Sequence, residues 1–216
     1  MAAFDYKKVY KNLYVPKTQT SLVDVPKMRF VMVDGEGDPN TSESYKTAVE
    51  VLYGLSYTIK MSKKGTDVPE GYFDYVVPPL EGLWRFQGDA YYDKAIGKKD
   101  QFIWTMMIRQ PEFVTQNVFE WAKAKLSVNK PELEPSIARL EDFTEGLCAQ
   151  IMHIGSYDDE PPTIAALEAF IKEKGYRTQM LGYRQHHEIY LGDPRKTAPE
   201  KLKTVIRHPI APVITQ

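Results

Sequence analysis

The feature of this chain that most constrains its fold is an order of predicted elements that occurs twice. Residues 28–34 (MRFVMVD) and 146–154 (GLCAQIMHI) have the patterning of strands. Each is followed by an acidic loop, at 35–40 and 155–160, and then by an amphipathic helix and two further strands. This repeated strand–helix–strand–strand order predicts a duplicated α+β unit in which two half-sheets join side by side.

Capping and turn residues set the bounds of the predicted elements. Ser42 and Thr115 are typical residues for the start of a helix. A third helix is predicted to begin at Pro161 and to end at Gly175. The remaining predictions are strands at 72–77, 101–109, 180–183 and 186–191, a linker at 129–136 and a short last helix at 201–207.

These elements predict one domain over residues 1–216. An N-terminal arm at 1–26 precedes pseudo-repeats at about 27–128 and about 137–210. We expect an antiparallel sheet with helices on one face and a ligand cleft on the other, between the two halves.

Composition narrows the class of protein. The net charge of -1 gives no electrostatic reason to expect a nucleic-acid partner. The lone Cys148 excludes an internal disulfide and a multi-cysteine metal site, and its apolar surroundings predict a buried side chain. The first residues lack the apolar core of a signal peptide, and no apolar run has membrane-spanning length. We therefore expect a cytoplasmic protein with no membrane partner and no cofactor.

The polar face of the last predicted strand is the strongest candidate for a site. Ile189 alternates with Glu188 and Tyr190, so Glu188, Tyr190 and His186 should share one face. A carboxylate between a phenol and an imidazole suits catalysis or a cationic ligand. The alternative is an ordinary strand face exposed to water. A metal site would need a third ligand such as His153 from a neighbouring strand. We therefore predict no metal site.

Aromatic residues form the second candidate feature, since the chain has 14 Tyr, 9 Phe and 3 Trp. Trp84 follows a Pro-Pro break, and Phe102, Trp104 and Met106 share a face of one predicted strand. Aromatic and methionine side chains line pockets for flat ligands but also fill cores. Core packing is the interpretation for Phe102, whereas for Trp84 and Trp104 both interpretations stay open. The Gly-x-Gly at 35–37 lies among acidic residues and matches no phosphate-binding loop.

Four segments together resemble one known family. They are VVPPLEGLW (76–84), FIWTMMIRQPEFVT (102–115), EGLCAQIMHIGSYDDEPPTIAAL (145–167) and GYRQHHEIYLGDPRK (182–196). In this order they resemble the GyrI-like small-molecule-binding family, especially its stand-alone branch, from about residue 20 to the end. The resemblance implies duplicated strand–helix–strand–strand (SHS2-type) units. Family members often carry a second Trp after the first, where this chain has Arg85.

The resemblance also implies a function. The glutamate of the last strand, here Glu188, would face an aromatic pocket for cationic or polar-aromatic ligands. Some stand-alone members resemble hydrolases that open the cyclopropane of cyclopropanoid DNA-alkylating antibiotics. Glu188 would then be the general base and Tyr190 a donor to the developing oxyanion. The ligand-binding residues would be Trp84, Trp104, Tyr53, Met106, His153 and His186. A drug-sequestering protein and a gyrase-inhibitor-type protein-binding module are the alternatives.

Overall fold

The computed structural model describes residues 3–66, 68–86 and 99–213. In chain order the strands are β1 Ser21–Glu36, β2 Leu80–Phe86, β3 Phe102–Arg109, β4 Arg139–Ile154, β5 Tyr176–Thr178, β6 His186–Tyr190 and β7 Lys203–Pro212. The α-helices are α1 Tyr6–Val9, α2 Lys11–Tyr14, α3 Glu43–Met61, α4 Gln116–Asn129 and α5 Pro161–Glu173. Within the described ranges no helix has both the length and the apolar character needed to cross a membrane.

The strands form one antiparallel sheet that closes on itself. The order is β4-β1-β3-β2-β6-β7-β5, and β4 also pairs with β7. Six strands therefore make a barrel-like ring without free edges along these pairings, and β5 is attached outside it on β7. The three long helices do lie on one face of the sheet, its outer face, but the predicted open cleft on the other face is wrong, because that face is the filled interior of a closed sheet.

The strand–helix–strand–strand order is present in both halves of the chain. The first half runs β1-α3-β2-β3, and the second runs β4-α5-β6-β7 with the short β5 added. In each half the first strand pairs with the last, as β1 with β3 and β4 with β7. That the two halves superpose as duplicated units stays a prediction.

Helix starts follow the predicted capping residues. The Ser42 side chain accepts a hydrogen bond from the Tyr45 amide, and the Thr115 side chain accepts one from the Val118 amide. Helix α5 begins at Pro161, whose missing N–H costs a first turn nothing. Gly175 lies just past that helix with a φ of 77°, a conformation that glycine adopts without strain.

Three predicted elements are wrong. The predicted helix at 201–207 is absent: Lys201 ends a short 3-10 helix, and residues 203–207 lie in β7, which is buried on both faces and so shows no alternation. Tyr75, in the predicted strand at 72–77, forms one isolated bridge, and the strand begins instead at Leu80, past the two prolines that cannot donate to a ladder. The predicted strand at 180–183 is reduced to an isolated bridge between Leu181 and Arg184.

The buried side chains form one cluster inside the barrel and two clusters on its outer surface. Inside the ring lie side chains such as Phe30, Met107 and the free Cys148, each fully buried, which confirms the prediction for the cysteine. Helix α3 covers the outer faces of β1 and β3, and α4 packs against α3 in the same cluster. Helix α5 covers β4 and β7 through an aliphatic cluster that includes Leu167 and Ile206. The outer faces of β2 and β6 thus lie between α3 and α5.

The N-terminal arm is part of the folded body. Its Tyr6, Leu13 and Tyr14 side chains are 1%, 2% and 1% exposed. The Leu13 carbonyl accepts a 2.6 Å hydrogen bond from Nη2 of Arg207, a buried residue of β7. The arm therefore closes over the barrel interior, and residues 21–26, predicted as part of the arm, already belong to β1.

Four charged side chains inside the barrel form one hydrogen-bonded network. His187 contacts Glu81 through Nε2 at 3.0 Å and Glu145 through Nδ1 at 3.1 Å. Arg207 donates to the same Glu145 oxygen at 3.0 Å. Burial acts to lower the pKa of His187, but the two carboxylates raise it to about 9. Two carboxylates and two cations thus form a neutral buried network.

Candidate functional site

The predicted polar face is present, and it is buried. In the β2–β6 ladder Trp84 stands opposite His186, and Gly82 stands opposite Glu188. These residues share the outer face with Tyr190 because side chains two apart in a strand point the same way. His186 is 0% and Glu188 only 9% exposed. The alternative interpretation, an ordinary strand face exposed to water, is therefore wrong.

Glu188 is held by hydrogen bonds at both oxygens. Its Oε1 lies 3.0 Å from Nε2 of His186, and its Oε2 accepts a 2.7 Å hydrogen bond from the Tyr190 hydroxyl. The same hydroxyl accepts from Nε1 of Trp84 at 2.9 Å. Burial, followed by the charge of Glu188, raises the pKa of Tyr190 well above its usual range. The indole, phenol and carboxylate therefore form one oriented chain.

Two glycines let the indoles lie flat against the sheet. A Cβ on Gly82 would stand 2.7 Å from Nε1 of Trp84, and one on Gly35 would stand 2.1 Å from the Trp104 ring. Tyr45 of α3 contacts both indoles, with ring centroids 6.1 Å from Trp84 and 5.2 Å from Trp104. Trp84 and Trp104, the two predicted pocket residues, therefore form one aromatic layer with Tyr45.

A second carboxyl group approaches Glu188 from the start of α5. Glu160 is 5% exposed, and among the described residues its Oε1 has no hydrogen-bond partner. Burial, followed by the charge of Glu188, raises the pKa of Glu160 well above its usual range. Burial therefore favours the protonated form of Glu160, which forms a carboxyl pair with Glu188, one oxygen of each lying within 4.8 Å of the other.

The carboxyl pair and His186 are close enough together to suit a divalent metal ion. One atom from each of Glu160, His186 and Glu188 lies within 4.8 Å of the others. However, His186 and Glu188 already hydrogen bond to each other, so these atoms satisfy one another without an ion. We assign no metal to the cluster. His153, the third ligand considered from sequence, instead contacts Thr163 at 2.8 Å and the Ser156 carbonyl at 2.9 Å.

The other residues predicted to bind a ligand lie outside the hydrogen-bonded chain of Trp84, Tyr190 and Glu188. Met106 is fully buried beside Gly82, within the core below the aromatic layer. Tyr53 is half-buried on α3 and stacks on Tyr57 at 6.3 Å. His153 supports the start of α5 through its bond to Thr163. Their contact with a ligand stays a prediction.

Sequence reasoning missed several members of the site. Glu160 and Tyr157 lie in a loop that the pattern identified only as acidic, and Tyr45 is one of several apolar positions on its helix. The Tyr157 ring meets Tyr190 edge-on at 5.6 Å and is 36% exposed, so it forms the outer cover of the cluster. The sequence held one signal for Glu160, which is that this glutamate directly precedes two prolines at a predicted helix start.

Two surface cavities described in the structure lie away from the carboxyl pair. One, of about 460 Å³, is lined by the arm and the end of β4, including Val15 and Met152. The other, of about 470 Å³, touches Trp104 together with Asp34, Arg85 and Tyr183. Neither of these two cavities is lined by Glu188.

Comparison with known proteins identifies one family model and several solved structures that are similar to this chain. The model of the GyrI-like small molecule binding domain matches residues 18–211. Two solved structures from Listeria innocua, described as a hydrolase and as an uncharacterized conserved protein, are 44% and 45% identical to this chain. Each match covers 96% of this chain and 100% of the other, with TM-scores of 0.87 and 0.91. The C-terminal domain of EcmrR, at 12% identity, covers 90% of this chain and 98% of its own length with a TM-score of 0.52, a likeness of fold alone. No curated protein gave a match.

Proposed function

The chain belongs to the GyrI-like small-molecule-binding family, and from that premise we propose that it binds flat aromatic or cationic molecules over Glu188 and hydrolyses the cyclopropane of cyclopropanoid genotoxins. The observation that carries the proposal is the buried carboxyl pair, in which the pKa of Glu160 is raised and Glu188 is oriented at both oxygens. Such a pair under aromatic rings suits the activation of one water molecule beside a flat ligand.

Ligand entry would replace ring–ring contacts by ring–ligand contacts. Tyr157 is the most exposed ring of the cluster, and its displacement would open the path to Glu188. The ligand would then stack against Tyr45 and Trp84, which already contact each other. A cationic ligand would gain further from the Glu188 charge in a partly desolvated site.

The proposed reaction adds water across one strained bond. The substrate carries a spirocyclopropane conjugated to a dienone. The water oxygen bonds to a cyclopropyl carbon while Glu188 accepts a proton from that water. The broken carbon–carbon bond leaves its electron pair in the ring, which becomes a phenolate. The phenolate oxygen then takes up a proton, so the net change is the addition of one water.

Tyr190 and Glu160 would assist Glu188 in its role as general base. In this structure the Tyr190 hydroxyl donates to Glu188, so it orients the carboxylate. The predicted donation from Tyr190 to the developing oxyanion would require that hydroxyl to turn towards the ligand. Protonated Glu160 would donate a hydrogen bond to the attacking water or to Glu188, which keeps a second negative charge out of the site.

The relatives support hydrolysis as the reaction class. A Listeria innocua structure described as a hydrolase is 44% identical over 96% of this chain. A second candidate, binding without turnover, is favoured by the hydrogen bonds that occupy both Glu188 oxygens. The two candidates differ in the fate of the ligand and not in the pocket.

The test is incubation of the protein with a cyclopropanoid antibiotic followed by mass spectrometry of the drug. Hydrolysis predicts that the drug gains the mass of one water at a rate set by the protein. Tight binding of a drug whose ring stays closed would contradict hydrolysis and would support sequestration. The absence of both binding and product would contradict the ligand class itself.

A further inference from the structure

A line of hydrogen bonds leads from the candidate site to the protein surface. Glu188 Oε1 lies 3.0 Å from Nε2 of His186, and Nδ1 of His186 lies 2.8 Å from Nε2 of His208. Nδ1 of His208 lies 2.5 Å from Oε1 of Glu168. The His186 and His208 side chains are 0% and 1% exposed, whereas that of Glu168 is 42% exposed. We propose that Glu188, His186, His208 and Glu168 form a proton relay between the covered site and solvent.

The number of protons in this line of hydrogen bonds explains how it can carry a proton from one end to the other. Three hydrogen bonds need three protons, and each of the two imidazole rings carries at least one of them. The third proton completes the line whether it resides on Glu188, on either ring or on Glu168. Its shift from Glu188 to Glu168 moves each ring proton from Nδ1 to Nε2 and breaks no hydrogen bond. The net result is a proton delivered to the surface and a carboxylate left in the site.

The surroundings of the line suit this role. Burial lowers the pKa of His186 to about 4, so this ring is neutral and uses one nitrogen as a donor and the other as an acceptor. At the outer end, burial acts to raise the pKa of Glu168, but its hydrogen bond to His208 lowers it below the usual range. The outer carboxylate also accepts from Thr178 Oγ1, at 2.8 and 2.9 Å. A proton that reaches Glu168 is therefore released readily to water.

The inner end is surrounded by groups that are poor proton acceptors. Burial and the charge of Glu188 favour the protonated form of Glu160, and burial raises the pKa values of Tyr45, Tyr157 and Tyr190, whose hydroxyls stay neutral. His187 is the next residue on β6, but it faces the barrel interior and is bound by Glu81 and Glu145. A proton taken up by Glu188 under the Tyr157 cover thus has a path out through His186.

The first test needs no ligand and no turnover. Nitrogen NMR of protein labelled at its four histidines reports which ring nitrogens carry protons in wild type, Glu168→Gln and Glu188→Gln. A relay predicts that each substitution changes both rings, so that Glu168→Gln alters His186 two hydrogen bonds away, and Glu188→Gln alters His208. Glu173→Gln, on an exposed residue of the same helix, should alter neither ring.

The proposal is overturned if each substitution changes only the ring that it touches. It is also overturned if neither His186 Nδ1 nor His208 Nε2 carries a proton, because no hydrogen bond can then join the two rings. Because Glu168 is partly exposed, its substitution leaves the core intact, and the resonances of His153 and His187 report on correct folding.

A second test rests on the proposed function. If the protein hydrolyses a cyclopropanoid, Glu168→Gln should slow steady-state turnover, and imidazole added to the buffer should restore part of the loss by carrying the proton. A slowed variant that imidazole does not rescue, or one with the wild-type rate, would contradict proton release through Glu168. Failure of wild-type turnover would remove this test but leave the NMR result standing.

Discussion

The charge and the orientation of one carboxylate decide what this site can do. Glu188 occupies a strand position whose neighbours on both sides face the barrel interior, and it is bound at both oxygens on the outside. A carboxylate that is buried, oriented and next to a second carboxyl group of raised pKa can recognise a cation or accept a proton from water. Both properties are removed by replacing it with a neutral amide of the same shape.

We expect Glu188→Gln to weaken flat cationic dyes more than neutral dyes of the same shape. The loss of a charge-assisted contact in a partly desolvated site corresponds to about 1.5–3 kcal/mol. Quenching of tryptophan fluorescence by each dye measures the affinity. Glu132→Gln, at an exposed position, is the control. Equal losses for both types of dye would show that Glu188 does not recognise charge.

Gly82 is the residue on which the aromatic layer depends most directly. In Gly82→Ala the new Cβ would stand 2.7 Å from Nε1 of Trp84 and force the indole away from Tyr190. We expect a loss of about 1–3 kcal/mol in the free energy of unfolding and a changed tryptophan emission spectrum. Gly192→Ala, whose nearest contact would be 3.4 Å, is the matched control. An unchanged spectrum in Gly82→Ala would contradict this role.

At the scale of the elements, strand alternation predicted part of the site. It predicts that His186, Glu188 and Tyr190 share a face, and they do so in β6. It could not predict Glu160 or His208, because these side chains come from the loop before α5 and from β7 and are brought close to β6 only by the tertiary fold. Strand β7 itself was missed since burial on both faces removes the alternation that identifies a strand.

The network inside the barrel predicts how stability depends on pH. The pKa of His187 in the folded protein, about 9, lies above its unfolded value of about 6.5. Its stabilisation is therefore complete below about pH 6.5 and is lost as the pH rises towards 9. Burial acts to raise the pKa of Glu145, but His187 and Arg207 lower it to about 2, so its contribution is lost as the pH falls from about 4.5 towards 2.

Chemical unfolding at several pH values measures this dependence. We expect the free energy of unfolding to fall between pH 6.5 and 9 in wild type and to fall much less over that range in His187→Gln. The variant itself should be less stable by about 3–5 kcal/mol, because buried carboxylates lose their cation. A wild-type stability that stays constant from pH 6.5 to 9 would contradict a protonated His187.

At the scale of the whole molecule, the arm and the barrel form one unit. The sequence predicted the arm only as the segment before the first pseudo-repeat, and its position in the chain carries no information about what covers a barrel. We expect Leu13→Ala to cost about 2–5 kcal/mol, because its side chain is 2% exposed within the core. Val9→Ala, at 54% exposure, should change the free energy of unfolding by less than about 0.5 kcal/mol. Equal effects of the two substitutions in thermal unfolding would show that the arm does not belong to the core.

The central claim is that Glu188 activates a water molecule against a strained ring, and single-turnover hydrolysis of a cyclopropanoid in water enriched in heavy oxygen tests it most directly. Wild type should place one heavy oxygen on the opened cyclopropyl carbon. Glu188→Gln should still bind the neutral drug but react about 10²–10⁴-fold more slowly. A drug that is bound with its ring intact by wild type, or a Glu188→Gln variant that reacts at the wild-type rate, would contradict the account.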